Sequence, residues 1–109
     1  MTLYTEDIIT GFDVNTTTSV TSSFNIKKYL YFGFAVSKES GTISSSVLDM
    51  QCSEDGSNWR TMVDRGTPVS VTGTGSSFNH IMVAPFIRIK LSTVEGTAGS
   101  AKITIMCKG

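Results

Sequence analysis

The chain has 109 residues, with 9 Lys+Arg against 9 Asp+Glu and a formal net charge of zero. That length allows one domain with one modest core and no second lobe. The even charge balance excludes a dedicated electrostatic nucleic-acid binder, and no basic stretch marks a membrane-surface segment. Ser and Thr number 15 each, and Val and Ile number 9 each against 4 Leu and 4 Ala. β-branched residues suit a pleated sheet and good helix formers are scarce, which predicts an all-β fold with turns supplied by Gly.

Residues 1–14 have little periodicity and are expected to form an N-terminal arm ahead of a domain spanning residues 15–109. Residues 16–22 read as a weak or edge strand. Residues 29–36 follow, Tyr-Leu-Tyr-Phe-Gly-Phe-Ala-Val, with Leu30, Phe32, Phe34 and Val36 on one face at period two. Tyr29, Tyr31, Gly33 and Ala35 make the other face apolar as well, which predicts a central strand covered on both sides, with Gly33 marking a bulge or a close backbone approach. Residues 38–41 read as a turn and residues 42–53 as one long strand, with Leu48, Met50 and Cys52 on one face and Asp49 and Gln51 on the other. Asp55-Gly56-Ser57-Asn58 is the clearest turn signal. Strands are expected at residues 59–63, 69–72 and 78–83, the last two joined by a flexible Gly73-Thr74-Gly75-Ser76-Ser77 connection. The last pair reads as a hairpin about residues 95–99, with Ile87, Ile89 and Leu91 inward and Phe86, Arg88 and Lys90 outward. Ile103, Ile105 and Cys107 face inward on the return. The sum is a single antiparallel β-sandwich, jelly-roll-like, of seven or eight strands.

The N-terminal residues carry neither the basic nor the apolar region of a signal peptide, and no apolar run is long enough for a membrane span. Cys52 and Cys107 lie on inward faces, far apart and without metal or redox spacing. They are expected to be reduced in a chain made in the cytoplasm. Asn15-Thr16-Thr17 matches a glycosylation triplet, read as chance in that setting.

A catalytic site is hard to assemble. His80, the lone histidine, has no nucleophile or carboxylate at a recognisable spacing. The residue 73–77 loop lacks both the nucleophile elbow and the helix a phosphate cradle needs. Cys52, Cys107 and His80 would have to converge to hold a metal, and Glu54, Asp55 and Asn58 offer few of the oxygens calcium takes. Trp59, the single tryptophan, is expected in the core. These readings assign no catalytic residue, no cofactor and no metal.

The ordered set Ser53-Glu54-Asp55-Gly56-Ser57-Asn58-Trp59, Phe86-Ile87-Arg88-Ile89, the Gly/Thr-rich residues 95–99 and the final strand ending at Cys107-Lys108-Gly109 resembles a small β-sandwich domain. That domain is common among virion structural proteins of tailed bacteriophages. The resemblance spans roughly residues 16–109 and implies a structural role with no catalytic residues. The implied function is a capsid decoration or cement protein, expected as a trimer on the major capsid protein. Tyr4, Ile8, Ile9 and Phe12 of the arm are its expected partner contacts, and neither nucleic acid nor membrane is a partner. The virion is then the place of the protein, assembled in the host cytoplasm. A tail or head-fibre protein and a carbohydrate-binding module are the alternatives, the latter through exposed aromatics.

Overall fold

A computed structural model describes residues 4–27, 29, 31–64, 66–79 and 84–109. Among these residues the backbone forms eleven strands in chain order. They are β1 (Tyr4–Asp13), β2 (Phe24–Asn25), β3 (Tyr31–Gly41), β4 (Val47–Ser53), β5 (Arg60–Thr61), β6 (Val63–Asp64), β7 (Thr67–Pro68), β8 (Ser70–Thr72), β9 (Gly75–Asn79), β10 (Phe86–Thr93) and β11 (Gly99–Lys108). Two antiparallel sheets face each other. One has the order β1-β11-β3-β9. The other runs β2-β10-β4-β5, with β8 on the first half of β4. The expected all-β sandwich is therefore the fold. The extra strands are β1 and two-residue pieces such as β6 and β7, which pair around Gly66.

The inward positions are the ones the alternation marks. Phe32, Phe34 and Val36 of β3 and Ile103, Ile105 and Cys107 of β11 are buried against Leu48, Met50 and Cys52 of β4 and Ile87, Ile89 and Leu91 of β10. Both cysteines are free and buried, and loss of hydration raises both thiol pKa values. Leu30 lies outside the described residues, as do His80 and residues 81–83 at the end of the expected strand 78–83.

Strand partners differ from expectation in several places. The segment expected as an arm is β1, which pairs along β11 from Tyr4↔Lys108 to Asp13↔Ser100. A register shift between Ile9 and Phe12, at Gly11 with φ 68°, resets the alternation so that Phe12 turns inward. Phe12 is only 6 % exposed, and Val14 just after the strand is fully buried, so β1 belongs to the sandwich and contributes to its core. The expected β10–β11 hairpin does not form, because the loop between them crosses from one sheet to the other. The residue 38–41 turn is instead the end of β3, and its chain also crosses between sheets. Gly41 has φ 69°, and a Cβ there would sit 2.3 Å from the Ala98 carbonyl oxygen, so only glycine fits this crossing. Gly33 forms no bulge; it pairs in regular register with Met106 and Phe78. Residues 16–22 form one bridge, Val20↔Lys90, alongside β10 and not a full strand.

The long strand expected over residues 42–53 is shortened to β4 because a carboxylate captures its first part. Glu95 Oε1 accepts the amides of Ser44, Ser45 and Ser46 at 2.7, 3.0 and 3.1 Å, and Oε2 accepts the Ser44 and Ser45 hydroxyls. Amides that donate to Glu95 are not available to a strand ladder.

Candidate partner surfaces

With their alternate residues buried, the strands present two outer faces of different chemistry. On the four-stranded sheet, Ile8, Thr104, Ala35 and Ser76 stand in one row across all four strands. Glu6, Met106 and Gly33 form the next row. Ile8 is 58 % exposed and Tyr31, opposite Lys108, is 42 % exposed. The middle of this face is small and mostly apolar, with Gly33, Ala35 and Met106 beside the Thr104 hydroxyl, and Glu6, Lys102 and Lys108 lie around it.

β1 is the outer strand of this sheet and pairs with β11 among the described residues. The Gly11 amide at its bulge donates to Glu39 Oε1 at 2.6 Å, which ties the bulge back to β3. Glu6 and Asp7 follow each other in the first half of the strand, one on each face and both exposed, so the edge it offers is acidic.

The sequence-expected contacts separate here. Ile8 is available at the surface. Ile9 turns toward the core and packs partly against it, and Phe12 is core, so the bulge removes the latter from any contact role. Tyr4 is placed opposite Lys108, and its side chain lies outside the description.

The outer face of the five-stranded sheet is polar. Asp49 and Gln51 of β4 stand opposite Lys90 and Arg88 of β10, and Thr61 of β5 stands on the other side of Gln51. Trp59 is half-buried and lies on this face, not in the core as expected. The Arg88 guanidinium stacks over its ring at 4.4 Å. Arg88 Nε donates to Gln51 Oε1 at 2.7 Å and so joins the ring to β4.

The Asp55-Gly56 turn sets Trp59 in place. Asp55 Oδ1 accepts the Ser57 and Asn58 amides and the Ser53 hydroxyl, each at 2.9 Å, and Oδ2 accepts Asn58 Nδ2 at 2.8 Å. These bonds hold the Asp55 carboxyl far below the usual carboxylate range. Gly56 takes the left-handed conformation the turn requires, φ 79°. Glu54 is drawn instead to Arg60 at 2.5 Å. Both carboxylates of the turn are thus committed to the chain itself. Among the described residues no three His, Cys, Asp or Glu side chains converge as metal ligands.

No family model matches the chain, and no curated protein matches it. Solved structures do. The SPBc2 prophage-derived protein YomS superposes with a TM-score of 0.65 at 8 % identity, over 98 % of this chain and 96 % of that one. FlhE superposes with a TM-score of 0.55 at 11 % identity, over the same shares of both chains. At such identities the likeness establishes a shared fold from end to end.

Proposed function

We propose that this chain is a structural protein of a tailed-phage virion, specifically a capsid decoration or cement protein that binds the major capsid protein. The observation that carries this reading is the near-complete superposition on a prophage-derived protein, β1 and the closing strand included. The Ser53-to-Trp59 turn and the Phe86–Ile89 strand, which resemble the phage virion domain, support it independently.

The working surface is β1 with the outer face of its sheet. Burying a fully exposed Ile or Leu side chain contributes about 1.5–3 kcal/mol, so a surface centred on Ile8 gives each copy a weak hold. Many copies on a repeating lattice add such holds through multivalency. The backbone edge of β1 can accept an extended segment of the capsid protein by strand addition, and Glu6 and Asp7 favour a segment bearing Lys or Arg. A trimer would set three such faces about a local three-fold position of the lattice.

Co-sedimentation of the purified protein with capsids stripped of it tests this reading. Ile8→Asp should abolish binding while the protein stays folded. Val63→Asp, which changes a comparably exposed residue (51 %) on the β6–β7 hairpin, should bind normally. Unaltered occupancy by Ile8→Asp would overturn the assignment.

A further inference from the structure

The polar face of the five-stranded sheet carries a shallow depression of about 210 Å³, walled by the polar residues Asp49, Gln51, Thr61, Lys90, Thr17 and Ser92 and lined also by Leu91. Its volume lies below the ~300–1,000 Å³ of drug-sized ligand sites, so it has room for one small ring. The donors and acceptors on its walls alternate. The Asp49 carboxylate offers acceptors only, and it receives no hydrogen bond among the described residues. Gln51 beside it has its carbonyl oxygen fixed by Arg88, which leaves its amide group to donate. Lys90, opposite Asp49 in register, is anchored on the Thr17 carbonyl at 3.2 Å and keeps further N–H donors. The Thr61 hydroxyl opposite Gln51 can do either.

This arrangement selects among ligand classes. An anion would meet Asp49. A cation would find one carboxylate facing an ammonium group. An apolar ring would meet only Leu91 and leave the polar wall groups without a partner. Adjacent hydroxyls, each both donor and acceptor, satisfy the walls together. We infer that this depression is a binding site for a neutral saccharide, which docks one sugar ring through vicinal hydroxyls onto Asp49, Gln51, Thr61 and Lys90. Trp59 is not the stacking platform, since Arg88 covers its ring; it is coupled to the site through Arg88 and Gln51. The inference stands on this face alone and does not depend on the virion reading.

The single tryptophan supplies the readout. Its fluorescence is titrated with glucose, galactose, mannose and N-acetylglucosamine, and in a second arm with their oligosaccharides; amide shifts of Asp49 and Gln51 are followed by NMR in parallel. At least one sugar should produce a saturable change. Binding by the monomer places the ligand as a free sugar, and binding by the oligomers alone places it as a glycan chain. Asp49→Ala and Gln51→Ala should each weaken binding by at least about tenfold, because a hydroxyl is left unpaired. Ile8→Asp should bind as the wild type does. The inference fails if no sugar alters either signal, or if Asp49→Ala binds as tightly as the wild type.

Discussion

The two outer faces of this sandwich are built on the same core and differ in nearly every outward side chain. On the four-stranded sheet the outward row is Ile8, Thr104, Ala35 and Ser76, with Met106 and Tyr31 nearby. On the five-stranded sheet it is Asp49 and Gln51 against Lys90 and Arg88. Inward residues are interchangeable in kind between the sheets, all aliphatic, aromatic or sulfur-bearing, because both must exclude the same water. Outward residues are free of that constraint, so partner chemistry can diverge there: a small apolar surface with an acidic edge on one side, a hydrogen-bonding depression on the other.

Substitutions can break this pairing of faces or sharpen it. Phe34 of β3 is fully buried between the sheets, so Phe34→Ala should lower unfolding free energy by about 3–5 kcal/mol in urea titrations and weaken both faces together. The next effect separates two glycines of the four-stranded sheet. Gly11→Ala places a Cβ in open space at φ 68° and should cost about 1 kcal/mol. Gly41→Ala adds a clash with the Ala98 carbonyl at 2.3 Å and should lower Tm clearly further.

A smaller effect belongs to the Glu95 clasp. Its amide and hydroxyl donors bring the Glu95 carboxyl down from 4.5 to about 2. A carboxyl depressed on folding stabilises fully above its unfolded pKa and loses that contribution as pH falls through the folded one. Thermal melts should therefore show a decline from about pH 4.5 toward about 2 that is reduced in Glu95→Gln. The Asp55 turn adds a decline of the same sign. Ile8→Asp should change stability least, within about 0.5 kcal/mol, as befits an exposed side chain.

Much of this was readable from the sequence, and the reason for the rest is physical. Period-two alternation names the buried side of a strand, and it did so for Phe32, Leu48, Ile87 and Ile103. It carries no information about which strand lies alongside. The hairpin expected at residues 95–99 is a crossing because Glu95 turns to the residue 44–46 loop, a contact 50 positions away at Ser45. β1 was hidden because its bulge at Gly11 resets the alternation halfway, leaving Ile9 and Phe12 out of phase. Trp59 read as core from its size, but the Asp55 turn sets it on the surface under Arg88. Asp49, Gln51, Arg88 and Lys90 were recognisable as outward residues on two separate strands. Only the β4–β10 register brings them together.

The most direct measurement is capsid co-sedimentation with Ile8→Asp and Asp49→Ala side by side, one variant for each face. A protein whose apolar face holds the capsid and whose polar face holds a sugar loses particle binding in Ile8→Asp and keeps it in Asp49→Ala. Retained binding by Ile8→Asp, or lost binding by a folded Asp49→Ala, would contradict that division of labour.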